Sequence, residues 1–229
     1  MCSTSKEKGL NVTLDRKALQ SGAFLTSFQD TPGIEWWSEE RIDTSMRETL
    51  SRRPGSGPVW LFAYGSLICN PLFEFAESRV ATLAGWHRSF CIRLVLARGS
   101  SERPGRMLAL EPGGTTTGVA LRLREEDLEH ELRLVWMREM VGGVYRPAWS
   151  KVTLADGQIV DAIVFAANPD NPLYESDASL DTIVPVIEAA QGSLGSNRDY
   201  VLRLDQSLRL HGIVDTHILE LASRLDPGR

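Results

Sequence analysis

Two stretches of the chain bring together residue types that can do chemistry. Residues 136–149 read Trp136-Met137-Arg138-Glu139-Met140-Val141-Gly142-Gly143-Val144-Tyr145-Arg146-Pro147-Ala148-Trp149. One carboxylate, Glu139, lies between an apolar run (Leu132, Leu134, Val135, Trp136) and a Gly-Gly break. A carboxyl held among Trp and Met side chains is poorly solvated, which favours its neutral form and moves its pKa towards working pH. A general acid/base needs that property. The competing reading is that Arg138 and Glu139 mark where a strand or helix meets solvent. The second stretch is Phe62-Ala63-Tyr64-Gly65-Ser66-Leu67-Ile68-Cys69-Asn70-Pro71. Its apolar lead-in (Val59, Trp60, Leu61, Phe62) reads as a buried strand that breaks at Tyr64-Gly65-Ser66. Gly65 permits backbone geometries, positive φ among them, that a side chain resists. Successive N–H groups in such a turn can cradle a carboxylate or a developing oxyanion. An ordinary β-turn explains the same three residues.

The elements that must position these groups follow from patterning. Pro54-Gly55-Ser56-Gly57-Pro58 is a run of breakers that divides the chain. Residues 1–57 are expected to form a helical extension and linker, and 58–229 the main domain. In the extension, Ser38 or Asp43 can start a helix through Met46 and Leu50 that stops ahead of Pro54. Leu14, Leu19, Phe24, Leu25 and Phe28 are apolar without a clear period, so this part is expected to drape over the main domain. From Val59 the pattern is β: Val59–Tyr64, Val80–Leu83, Phe90–Leu96, Leu108–Glu111 and Gly118–Leu123 read as strands between Gly, Pro and Ser signals. Glu125–Trp136 takes helical spacing, with Leu128, Leu132 and Val135 at i, i+4 and i+7 and the acidic run Glu125-Glu126-Asp127 as its first turn. Tyr145–Leu154 and Val160–Phe165 return to strands around the turn Ala155-Asp156-Gly157-Gln158. Three helices close the chain: Thr182–Gln191 capped by Asp181, one to Leu210 capped by Ser196 or Asn197 and stopped at Gly212, and Thr216–Leu225 capped by Asp215.

Composition narrows the function classes. The chain has 229 residues, 42% hydrophobic and 24% charged, an ordinary globular balance. Its net charge of −5 argues against a nucleic-acid surface. No apolar run approaches the roughly 18 residues of a membrane helix, and the start of the chain, Met1 to Lys8, lacks the apolar core of a secretory signal. The three cysteines, Cys2, Cys69 and Cys91, are scattered and unpaired in spacing, as expected of reduced thiols in the cytoplasm. The four histidines (His87, His130, His211, His217) have no metal-ligand spacing. Gly113-Gly114 before three threonines lacks the Lys of a phosphate loop. Cys69 beside the turn invites a cysteine-nucleophile reading, but no histidine has the context of a partner.

Taken together, the motifs resemble the ChaC family of glutathione-specific γ-glutamylcyclotransferases. The resemblance rests on Tyr64-Gly65-Ser66-Leu67-Ile68 with Asn70-Pro71, and on Arg138-Glu139-Met140 followed by Gly142-Gly143 and Tyr145. Gly85-Trp86-His87-Arg88-Ser89-Phe90 is similar to the family's Gly-x-x-Arg-x-Phe strand, and Pro104-Gly105-Arg106 with Gly118-Val119-Ala120 to its following hairpin. Gly192, Gly195-Ser196-Asn197 and Tyr200-Val201-Leu202 are similar to the start of its helical C-terminal part. The similarity runs from about Val59 to Leu225. Ala63 stands where the family commonly has Gly, and Cys69 where it has Trp. Neither change removes a chemically required group.

The resemblance implies an α+β fold: a small mixed or antiparallel β-barrel of the γ-glutamylcyclotransferase-like type, with flanking helices and a helical C-terminal part. It implies cleavage of glutathione into 5-oxoproline and Cys-Gly by attack of the α-amino group on the γ-carbonyl, with Glu139 as the catalytic acid/base. Leu61, Phe62, Ala63, Tyr64, Gly65, Ser66 and Leu67 are the expected substrate-binding residues. Tyr145 either adds a hydroxyl hydrogen bond to that set or fills the barrel as an aromatic. The substrate supplies the nucleophile, so no cofactor or metal is expected, and no nucleic acid, membrane or obligate protein partner. Two alternatives share the residues: the same chemistry on other γ-glutamyl amino acids or amines, and a non-catalytic regulator of a cation transport system.

Overall fold

The computed structural model describes residues 14–27, 31 and 34–228. Phe28, Cys2 and the start of the chain lie outside them. Five strands close into a barrel: β1 (Trp60–Ala63), β2 (Glu77–Leu94), β3 (Gly105–Arg122), β4 (Tyr145–Leu154) and β5 (Ile159–Ala167), in the order β1-β3-β2-β4-β5. All pairs are antiparallel except those of β5 with β1 and β3. β1 is buried at every position because it has a neighbour on each side and the core behind it.

Four of the expected short strands are in fact two long ones. The β2–β3 ladder runs from Glu77↔Arg122 to Leu94↔Gly105. It passes Gly85 by a bulge: Ala84 pairs with Thr115 and Trp86 with Pro112, so Gly85 faces Gly113 and Gly114. All three adopt positive φ (+83°, +106° and +68°), which glycine reaches without steric cost. The glycines that read as strand ends therefore bend one continuous hairpin.

Helices surround the barrel. In the extension, α1 (Arg16–Gln20), α2 (Ala23–Thr26) and α3 (Glu39–Ser51) precede β1, and Ser38 caps α3 by accepting from Arg41 N at 3.2 Å. The one-turn helix α4 (Ser66–Cys69) follows β1, and α5 (Leu128–Glu139) links β3 to β4. α5 begins after the acidic run rather than within it, and Glu125 instead pairs with Arg53. Behind β5 come α6 (Leu180–Ala189), the two-residue strands β6 (Gln191–Gly192) and β7 (Gly195–Ser196), α7 (Asn197–Leu210) and α8 (Thr216–Leu225). Ser196 and Asp215 cap α7 and α8 as expected, whereas α6 starts at Ser179 and leaves Asp181 in its first turn. There Asp177 holds the Ser179 N–H and the hydroxyls of Ser179 and Thr182.

Three contacts fix the site-bearing elements to this frame. The Arg16 fork donates to both oxygens of Glu131 at 2.7 and 2.6 Å, and Glu74 N donates to Glu131 Oε2 at 2.7 Å. Burial alone would raise the Glu131 pKa, but these donors outweigh it and hold the carboxyl below its ordinary value. The extension is thus tied to the helix that ends at Glu139. Asn197, fully buried, clasps the start of β3: Arg106 N donates to its Oδ1 at 2.7 Å and its Nδ2 donates to Arg106 O at 3.0 Å. This sets the register of α7 over the barrel mouth. A Cβ on Gly105 would stand 2.3 Å from Asn197 Oδ1, so only glycine admits the clasp.

The third contact is Arg88, whose side chain is 1% exposed. Its Nε donates to Tyr64 O, its Nη2 to Thr117 O and its Nη1 to Asp215 Oδ2, all at 2.7 Å. It joins the turn after β1, strand β3 and the cap of α8. Arg88→Met leaves two carbonyls and a carboxylate without their donor. The expected loss is about 3–5 kcal/mol of stability, the usual cost of breaking a buried pair. A thermal melt of the variant checks it, with a fall of order 10 °C expected for a chain of this size. Arg88→Lys should not rescue, because one ammonium lacks the planar fork that reaches three acceptors. A melting temperature within two degrees of the parent would show that the clamp contributes little.

Candidate active site

The end of β1 delivers the turn, and the end of α5 delivers the carboxylate. Tyr64, Gly65, Ser66 and Leu67 line a small recess of about 20 Å³ together with Leu108, Glu139, Tyr145, Phe165 and Tyr200. The recess adjoins a cleft of about 660 Å³ that Ser66, Glu139, Tyr145 and Tyr200 also line. Ser66 and Leu67 open α4, so their N–H groups have no acceptor within that helix. Gly65 has φ −139°, not the positive value expected from its type. Its requirement is space: a Cβ there would lie 3.3 Å from Leu108 Cδ2 and 3.5 Å from the Tyr200 hydroxyl.

Glu139 is 11% exposed along its side chain. Arg138 Nε lies 3.0 Å from its Oε1, yet that oxygen is buried and accepts no hydrogen bond. Burial raises its pKa, and the Arg138 charge offsets this only in part. Arg138 itself donates to Asn70 O, which ties the end of α5 to the segment after α4. The extension supports the same loop from outside, with Trp37 N donating to Val141 O at 2.9 Å.

Of the expected binding residues, Tyr64, Gly65, Ser66, Leu67 and Tyr145 meet Glu139 at the recess. Leu61, Phe62 and Ala63 do not: they are fully buried in β1 and line neither cavity. They are buried on both faces of the barrel wall and lie close against Gly118, where a Cβ would come within 2.5 Å of the Ala63 carbonyl oxygen and 2.8 Å of the Phe62 ring. The Tyr145 hydroxyl donates to Leu108 O at 2.9 Å and its ring packs on Phe165 at 6.2 Å, so its proton is already engaged. Tyr64 likewise donates to Phe165 O at 2.6 Å. Burial raises the pKa of both phenols, keeping them neutral. The residue missed from sequence is Tyr200. It stands against Gly65, and among the described residues its hydroxyl has no hydrogen-bond partner. Its place three residues beyond the Asn197 anchor, on one face of α7, was the available signal.

A barrel, a turn and an orphaned carboxylate oxygen at its mouth are what the comparisons with known proteins meet. A family model described as ChaC-like protein matches residues 59–226. The chain belongs to the ChaC family. Among its relatives, the glutathione-specific gamma-glutamylcyclotransferase of Escherichia coli (strain K12) is 52% identical over 91% of this chain and 90% of the relative. The glutathione-specific gamma-glutamylcyclotransferase 1 of Danio rerio is 33% identical over 75% of this chain and 90% of its own. A solved structure of a gamma-glutamyl cyclotransferase specific to glutathione from yeast superposes with a TM-score of 0.69 at 20% identity, covering 76% of this chain and 98% of that one. At that identity the likeness speaks for the fold alone.

Proposed function

We infer that this chain is a glutathione-specific γ-glutamylcyclotransferase, a lyase that releases 5-oxoproline and Cys-Gly. The family match and the high identity to relatives so named support the activity. The observation that carries the mechanism is Glu139, a buried carboxylate lining the recess beside the Tyr64–Leu67 turn, whose Oε1 lies 3.0 Å from Arg138 Nε and accepts no hydrogen bond.

Glutathione binds in the cleft with the reacting atoms of its γ-glutamyl end at the mouth of the recess. The free N–H groups at the start of α4 receive the α-carboxylate or the oxyanion that forms on the γ-carbonyl. Glu139 removes a proton from the substrate ammonium, and the amine closes on the γ-carbonyl to a five-membered ring. Holding the chain folded makes this attack intramolecular and raises its effective concentration. The tetrahedral species collapses as Glu139 returns its proton to the cysteinyl nitrogen; the ring nitrogen gives up its second proton, which ends on the departing amine, and Cys-Gly leaves as its ammonium form. The raised pKa of Glu139 suits both transfers near neutral pH. Tyr200 offers the oxyanion a phenol proton not engaged elsewhere.

The same reading places the domain boundary in the linker, with residues 1–57 as extension and 58–229 as the cyclotransferase domain. The family match from residue 59 supports it. It also places the protein in a reducing compartment, the cytoplasm. Free thiols at Cys69 and Cys91 support this, and no helix among the described residues is long and apolar enough to cross a membrane.

Incubating the purified chain with glutathione and quantifying 5-oxoproline and Cys-Gly by chromatography tests the reaction. Stoichiometric formation of both is expected. Cleavage of γ-glutamyl amines with glutathione left intact would move the activity to the alternative substrate class. No product from any γ-glutamyl compound would leave only the regulator.

A further inference from the structure

Beyond the recess, the cleft wall carries cations that the proposed chemistry leaves unused, Arg93, Arg98 and Arg203 among them. Arg98 follows β2 and Arg203 lies one turn after Tyr200 on α7, and both line the 660 Å³ cleft that Glu139 opens into. Among the described residues, neither side chain pairs with a carboxylate. Arg98 Nη1 donates to Ser196 O at 3.1 Å, which holds the guanidinium beside the start of α7. Its Cζ lies 6.0 Å from the centre of the Tyr200 ring. Burial and the like charge of Arg203 both disfavour the charged form of Arg98, with Asp199 among the groups that oppose them. Two guanidiniums facing one cleft with no carboxylate in direct contact repel one another, and an anion placed between them relieves this.

The position of that anion follows from the Tyr200 ring. Its hydroxyl stands against Gly65 at the recess, and Arg98 flanks the ring. The ring therefore spans the distance from the reacting end of a ligand to Arg98. A Cys-Gly unit extends about 7 Å, two residues of nearly extended chain. We propose that Arg98 and Arg203 bind the glycyl carboxylate of glutathione and so determine specificity for the tripeptide over shorter or uncharged γ-glutamyl compounds. This rests on the γ-glutamylcyclotransferase reading of the recess.

The test compares kcat/KM for glutathione with kcat/KM for its glycyl carboxamide, in the parent protein, Arg98→Met, Arg203→Met and Arg203→Lys. The parent should prefer the acid by about 10–100-fold, the range for a hydrogen bond to a charged group. In Arg203→Met and Arg98→Met that ratio should fall towards one, and Arg203→Lys should recover part of it. Arg203 is exposed, so its variants should fold normally. A parent that cleaves the acid and the amide equally well overturns this inference and leaves the cyclotransferase reading standing. So does a ratio unchanged in Arg203→Met. A parent inactive on both compounds overturns the cyclotransferase reading itself, and this inference with it.

Discussion

Glu139→Gln lowers cyclotransfer by about 10²–10⁴-fold, the usual contribution of general acid–base catalysis. Glutamine keeps the shape of the side chain but cannot accept and return a proton. The same variant should melt at a higher temperature than the parent at neutral pH. The sign follows from linkage: burial raises the Glu139 pKa in the folded chain, so the carboxyl favours folding while it is protonated. That contribution is lost as pH rises through the raised folded value, leaving a buried carboxylate oxygen without a donor. The gain in melting temperature should shrink on acidification, as the parent carboxyl becomes neutral too. Over the same range the parent's kcat/KM should fall, because the base is being protonated. Steady-state kinetics and melts across pH measure both. Activity of the glutamine variant within tenfold of the parent would remove Glu139 from the proton transfers.

Gly65→Val is expected to lower kcat/KM by about 10²–10³-fold, the scale of losing an oxyanion donor. The added Cβ meets Leu108 at 3.3 Å and the Tyr200 hydroxyl at 3.5 Å, and the γ-methyls intrude where the ligand approaches the turn. Overpacking of this kind costs about 1–3 kcal/mol, so the melting temperature should fall by about 2–12 °C, leaving the variant folded at assay temperature. Kinetics and folding are thereby separable. Ser66→Ala leaves the main chain of α4 in place and should be far milder. Equal tolerance of both substitutions would reduce Tyr64–Leu67 to an ordinary turn.

The Arg138-Glu139 pair was legible through the family resemblance, because by residue type alone a carboxylate between Trp136 and Gly142 also fits the point where an element meets solvent. The turn after β1 was legible from its own residues, since an apolar run ending in Tyr-Gly-Ser must leave the sheet. Helix limits at Ser38, Ser196 and Asp215 could be read as well, because a cap is a local hydrogen bond between near neighbours. Local patterning failed at Gly85. Whether glycine ends a strand or bends it depends on what lies opposite, here Gly113 and Gly114 across the ladder. Whether a residue beside a turn faces ligand or core depends on which side of the barrel wall it occupies.

By itself, the sequence determined the family, the carboxylate proposed to react, the turn and the order of elements. These rest on residue type and near-neighbour spacing. Tertiary structure alone decided that Tyr200 shares the recess with Gly65 and Glu139, that Arg98 and Arg203 face the same cleft, and that Arg88 joins Tyr64 to Asp215. Those groups are far apart along the chain. Barrel closure and the Asn197 clasp on β3 bring them together, and neither arises from local propensity.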